Sequence, residues 1–227
     1  MQTQSPKALK FTATPERGQV SALLLQPQGA VALLVLAHGA GTDMRHRSLE
    51  TLSAALAEVQ LATFRYNFPY MEGGRGRISP KPVLTATVRS AVNAAGDAVP
   101  GLPLFAGGRS MGGRMTSLAA SQASLPGVRG LVFFAFPLHP AGKPGTERAE
   151  HLFQVDIPML FLQGPRDDLA KPELLEPIIQ RLGPRATLHM MNGADHSFKV
   201  LKSSGRTEAE VLREVAETTA GWIGAKL

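Results

Sequence analysis

The stretch at residues 102–117, LPLFAGGRSMGGRMTS, limits what this chain can fold into more than any other. A short apolar run, Leu102 to Ala106, ends in two glycines, Ser110 stands between Gly108 and Gly112, and a small-residue segment of helical character follows. This is G-x-S-x-G set between a strand and a helix, the pattern of a nucleophile elbow. A serine on so sharp a turn is held in a strained backbone conformation, with Oγ pointing away from the protein body. The flanking glycines have no Cβ, so strand and helix approach closely enough for the turn to close. The helix that starts there aims free N–H groups and the positive end of its dipole at any anion forming near Ser110. Phosphate-cradling turns have other patterns. Walker A requires Gly-Lys-Ser/Thr where this chain has Gly112-Gly113-Arg114, and the dinucleotide pattern G-x-G-x-x-G fails at Arg109.

Around this stretch, apolar runs alternate with amphipathic ones. Residues 9–14 and 20–26, separated by Pro15-Glu-Arg-Gly18, read as an antiparallel strand pair. Residues 31–37 are continuously apolar, as expected of a strand buried on both faces, and end in His38-Gly-Ala-Gly41. Residues 47–60 place Leu49, Leu52, Leu56 and Val59 on one helix face, and residues 61–67 are the next strand. A polar, glycine-rich loop leads to a helix at 80–99, with Val83 or Leu84, Val88, Val92 and Ala95 inward. Beyond the Ser110 helix the pattern predicts strands at 128–136, 157–163 and 186–191, helices at 172–182 and 207–223, and an irregular stretch at 137–155. Such alternation implies one α/β domain over residues 1–227, a mostly parallel sheet covered by helices on both faces.

Composition narrows the partners. The chain has no cysteine, which excludes disulfides, thiolate metal sites and a cysteine nucleophile and fits a cytoplasmic protein. No signal peptide is visible, and the most apolar region, 20–40, is interrupted by Gln26-Pro-Gln-Gly29, so it reads as two strands and no membrane insertion is expected. The formal charge of +6 favours anionic partners in a general way, but it forms no basic run, and nucleic-acid binding is not expected.

In a parallel sheet, functional groups gather at the carboxyl ends of the strands. Here those ends carry His38-Gly-Ala-Gly41, residues 65–70, 108–112, 164–168 and 192–196. A hydrolytic serine needs a base to take its proton and a third group to hold that base. His196, in the loop after the last strand, is the candidate base. His38 reads as a brace for the central loop, His189 lies inside a strand, and His46, His139 and His151 lack a companion motif. The acid is expected after a strand between serine and histidine, where Asp167 and Asp168 stand side by side; Asp195 adjoins His196 and Asp43 precedes the serine. An oxyanion hole needs two backbone donors, for which the N–H groups of Met111 and Ala40 are the candidates.

On these residues the chain resembles the α/β-hydrolase superfamily, and within it the small dienelactone-hydrolase-like serine hydrolases. The resemblance runs through His38-Gly-Ala-Gly41, Gly108-Arg-Ser-Met-Gly112, Leu162-Gln-Gly-Pro-Arg-Asp167 and Gly193-Ala-Asp-His-Ser-Phe198. It implies an eight-stranded sheet with its second strand antiparallel, and Ser110, Asp167 and His196 as triad. Dienelactone hydrolase itself uses a cysteine nucleophile, which this chain lacks, so its substrate does not carry over. The implied activity is cleavage of a small acyl ester or thioester through an acyl-enzyme on Ser110, with no cofactor and no metal; the alternative is a non-catalytic binding or scaffold protein of the same fold. The short stretch 137–155 leaves no lid domain and implies an open site. Asn67, Phe68, Tyr70, Arg109 and Phe198 are candidate substrate contacts, with Pro69 and Met71 beside them in an expected apolar wall. Arg45, Arg47, Arg65, Arg75, Arg77, Arg109 and Arg114 fall on the strand-mouth loops, a positive rim suited to anionic esters.

Overall fold

Continuous apolar runs become the middle of a sheet. The computed structural model describes residues 5–74 and 76–227; residues 1–4 and Arg75 lie outside the described residues. The strands β1 Lys7–Thr14, β2 Gly18–Leu25, β3 Ala32–Ala37, β4 Leu61–Tyr66, β5 Leu104–Arg109, β6 Val128–Phe134, β7 Met159–Gln163 and β8 Ala186–Met190 form an eight-stranded sheet in the order β1-β2-β4-β3-β5-β6-β7-β8. β2 runs against both of its neighbours, and every other pair is parallel. Every residue of β3, β4 and β7 is buried, as a strand with helices on both faces requires. β1, at the edge, alternates instead, with Phe11 and Ala13 inward.

Side chains alternate along a strand, so β3 feeds two cores. Leu33 and Val35 pack on one face with Val88 and Val92 of α2 (Lys81–Ala98), Met115 of α3 (Met111–Gln122) and Leu175 of α4 (Pro172–Leu182). Leu34 and Leu36 pack on the other with Leu49, Leu52 and Leu56 of α1 (Arg47–Glu58) and Val211 and Val215 of α5 (Glu208–Gly224). This is an α/β-hydrolase fold, with helices on both faces of the sheet. Leu84 rather than Val83 takes the inward place on α2, at 2% exposure.

One expected irregular stretch is partly ordered. Between β6 and β7 the chain forms a 3₁₀ helix, Glu147–Gln154, which buries Ala149 and Leu152. These residues are three apart, the repeat of a 3₁₀ helix, a period that a search for helices of 3.6 residues per turn passes over. The segment packs on α3 and α4 without forming a lid domain.

Candidate active site

Ser110 separates β5 from α3 at φ +51° and ψ −119°. A residue with a Cβ seldom adopts this conformation, which costs about 1–3 kcal/mol and persists only where its surroundings impose it. Here the surroundings do: Ser110 N–H donates to the Phe134 carbonyl at 3.0 Å, and the Ser110 carbonyl accepts from Arg114 N–H at 3.2 Å. The glycines are required by space. A Cβ on Gly108 or Gly112 would stand 2.5 Å from the Ala37 carbonyl oxygen. The elbow is therefore jammed against the carboxyl end of β3, and the serine is presented at the sheet edge, partly exposed.

His196 reaches Ser110 from a tight loop after β8. Asp195 Oδ1 accepts from the N–H groups of Ser197 at 2.7 Å and Lys199 at 3.0 Å, and Phe198 takes φ +59°. Arg109, the residue before the serine, donates from Nη2 to the His196 carbonyl at 2.9 Å and lies over the Phe198 ring, 5.5 Å from its centroid. The acid turn is knitted to the same loop: Arg166 N–H donates to the Ala194 carbonyl at 3.0 Å.

The resulting contacts form a continuous chain. His196 Nε2 is 2.9 Å from Ser110 Oγ, and His196 Nδ1 is 2.7 Å from Asp167 Oδ2. Asp167 is 2% exposed; its Oδ1 accepts from Leu169 N–H at 2.7 Å, and Gln163 Nε2 donates to its Oδ2. Since the carboxylate only accepts, Nδ1 carries the imidazole proton and Nε2 is left to accept from the serine hydroxyl. Asp168 is exposed, and Asp195 is occupied in shaping its own loop, so of the three aspartates only Asp167 meets the imidazole.

The loop after β3 passes close by. A Cβ on Gly39 would lie 3.7 Å from Ser110 Cβ. Ala40 is exposed on this loop, and Met111 opens α3 on the other side of Ser110. His38 braces the loop from beneath: Nδ1 donates to the Gly39 carbonyl at 2.8 Å, and Nε2 accepts from Phe68 N–H at 3.0 Å. Acceptance at Nε2 needs the neutral ring, with its proton on Nδ1, and burial pushes the His38 pKa down to about 4.

Several expected substrate contacts have other occupations. Asn67 Oδ1 accepts from Met44 N–H at 2.9 Å, pinning the β3–α1 loop. Phe68 has no exposed surface and packs on His38, Tyr66 and Tyr70. Tyr70 and Phe198 are nearly buried, at 8% and 9%. Of the arginine rim, Arg65 donates to the Met44 carbonyl at 2.9 Å and lies 3.8 Å from Glu50, and Arg109 serves the His196 loop. Arg45, Arg47 and Arg77 are exposed, Arg75 lies outside the described residues, and Arg114 is partly buried. A groove of about 400 Å³ opens elsewhere, over β1 and β2, lined by Lys10, Ser21, Asp43 and Arg45 among others and not by Ser110.

A family model described as an alpha/beta hydrolase domain matches residues 30–224. The chain belongs to the alpha/beta hydrolase family. Its fold is similar to an alpha-beta serine hydrolase homologue from Coxiella burnetii (21% identity, 96% of this chain and 98% of that one, TM-score 0.74). A serine hydrolase without a lid from Xanthomonas campestris is comparably similar (20% identity, 96% and 95% coverage, TM-score 0.73). So is a dienelactone hydrolase from Anabaena variabilis (17% identity, 99% and 100% coverage, TM-score 0.72). The chain is thus a hydrolase of this family, and among the described residues no helix is long and apolar enough to cross a membrane.

This alpha/beta hydrolase contains a second serine–histidine contact that the sequence does not announce. Ser117 Oγ, on α3, is 2.7 Å from Nε2 of His151 in the 3₁₀ segment. Ser117 has no exposed surface, and among the described residues no carboxylate pairs with His151. Burial, then the charges of Arg114 and Lys81, push His151 down to about 4.

Proposed function

We propose that this hydrolase cleaves small carboxylic esters or thioesters through an acyl-enzyme on Ser110. The observation that carries the reading is the unbroken contact from Ser110 Oγ through His196 to Asp167. Ser110 Oγ attacks the carbonyl carbon while His196 Nε2 takes its proton. Asp167 keeps the proton of Nδ1 in place and stabilises the imidazolium. The N–H groups of Met111 and Ala40 hold the tetrahedral oxyanion, helped by the amino end of α3. Collapse breaks the bond to the alcohol or thiol, which leaves with the proton from Nε2. Water then attacks the acyl carbon, giving its proton to His196; collapse returns that proton to Ser110 Oγ and releases the carboxylic acid.

The Ser117–His151 pair does not support a rival site, because its serine is sealed and its histidine resists protonation. The test is turnover of para-nitrophenyl acetate with fluorophosphonate labelling. Wild-type protein is expected to hydrolyse the ester and label once, and Ser110→Ala to do neither while remaining folded. A folded wild-type protein that neither labels nor turns over any ester would make the fold a non-catalytic scaffold.

A further inference from the structure

Three cations, one of them on the first turn of α3, have no role in the reaction above. Arg114 lies on the first turn of α3, four residues after Ser110, so their Cα atoms are about 6 Å apart along the helix axis. Helical side chains lean toward the amino terminus, which carries the Arg114 guanidinium toward the Ser110 end. Arg114 Nε is buried and has no hydrogen-bond partner. Among the described residues no carboxylate forms an ion pair with Arg114, Arg148 or Lys81.

The 3₁₀ segment Glu147–Gln154 brings Arg148 to this place. At three residues per turn, Arg148 and His151 stand one above the other. Ser117 follows Arg114 by three residues on the same flank of α3. The 2.7 Å contact between Ser117 and His151 joins these two flanks, each of which carries an arginine three residues earlier. The charge of Arg148 also reaches Arg114: burial lowers the Arg114 pKa first, and Arg148 lowers it further. Lys81, the first residue of α2, acts on the same His151. The acids of the segment are turned elsewhere. Glu147 lies against Gly145, and Glu150 lines a separate hollow with Phe153 and Arg181.

Like charges without a counter-charge repel, the more so where burial keeps water away, as at Arg114 Nε. An anion between them reverses the sign of that energy. Guanidinium forks suit the oxygens of carboxylate and phosphate, which they bind bidentately. We propose that Arg114 and Arg148, with Lys81 at the rim, form an anion subsite beside Ser110 that holds a carboxylate or phosphate group of the ester substrate. The proposal rests on the hydrolase reading of Ser110 and specifies its substrate class. It also replaces the broad arginine rim with one built location.

The test compares para-nitrophenyl esters of succinate and of phosphonopropionate with their methyl-capped neutral forms, on the full chain. The charged-to-neutral ratio of kcat/KM is expected to exceed about tenfold at low salt, one charge-assisted bidentate contact, and to shrink as salt is added. Arg114→Gln and Arg148→Gln should each lower the ratio about tenfold, whereas Lys7→Gln, the same charge change on an exposed edge strand, should leave it intact. Preference for the succinyl ester assigns a carboxylate, and preference for the phosphonate assigns a phosphate. A ratio near one, or one that Arg148→Gln does not change, overturns the subsite while the neutral esters still report an active hydrolase. If no ester is turned over, calorimetric titration with succinate and with inorganic phosphate decides separately. Binding that Arg148→Gln weakens keeps the subsite and discards the hydrolase; no binding of either anion discards both.

Discussion

Two serines, Ser110 capping α3 and Ser117 within it, contact histidine Nε2 atoms, and they differ in everything but that contact. Ser110 sits at the amino end, strained at φ +51° and partly exposed, 2.9 Å from His196. Ser117 sits two turns later, fully buried, 2.7 Å from His151. The shorter contact belongs to the pair that we assign no chemistry. What sets the pairs apart is the other side of each imidazole. His196 Nδ1 meets a buried carboxylate held by two further donors, so a positive charge arising on the ring has a partner waiting. Among the described residues His151 has no such carboxylate, and burial first, then the charges of Arg114 and Lys81, disfavours a positive charge on its ring. A hydrogen bond between serine and histidine is thus weak evidence for catalysis; the charge behind the histidine decides whether it can act as a base.

The comparison breaks most directly by removing each hydroxyl. Ser110→Ala should lower ester turnover by about 10⁴-fold or more, while Ser117→Ala should leave it within a few-fold. Comparable losses in the two variants, measured on protein of unchanged circular dichroism, would erase the distinction. Removing the carboxylate tests its cause. Asp167→Asn should cost about 10⁴-fold in kcat by favouring the wrong imidazole tautomer, and Asp168→Asn, on an exposed neighbour, should be mild. The reverse ranking would shift the acid by one residue.

That choice between neighbours shows where the sequence stops being informative. Both aspartates suit a turn, and only the resemblance favoured Asp167. What turns Asp167 inward is local: Leu169 N–H and Gln163 Nε2 capture its oxygens. By contrast the strand framework was legible throughout, because β3, β4 and β7 are buried on both faces and read as unbroken apolar runs. The elbow was legible because glycine is demanded there by contact with Ala37. Contacts far apart in sequence were not. Arg109 stands in the elbow motif, but nothing local announces its bond to the carbonyl of His196, 87 residues on. The Ser117–His151 contact is hidden for the same reason, and because its histidine lies in a 3₁₀ segment whose three-residue repeat is not that of an α-helix.

Arg109 offers a smaller effect on the same comparison. Arg109→Leu removes the donor that holds the His196 loop and should lower kcat about tenfold with little change in KM, with Arg109→Lys recovering part of it. A change confined to KM would return Arg109 to the substrate.

A separate effect concerns stability and leaves turnover aside. His38 has its folded pKa lowered from 6.5 to about 4, chiefly by burial, so the unfolded chain takes up a proton where the folded one does not. Its contribution is fully present above pH 6.5 and is lost as pH falls toward 4, by about 3 kcal/mol at most. His151, shifted the same way, adds to the slope, and His151→Gln should flatten it while leaving neutral-ester turnover within a few-fold. Chemical denaturation at pH values across this window reads both, and stability that rises on acidification would contradict the neutral, braced state of these rings.

The central claim is that Ser110 alone is the nucleophile. Treating the wild-type protein with a neutral fluorophosphonate and mapping the adduct by peptide mass spectrometry tests it in one step. One phosphonyl group per chain is expected, on Ser110, with none on Ser117. An adduct on Ser117, or stoichiometric labelling that persists in Ser110→Ala, would contradict it.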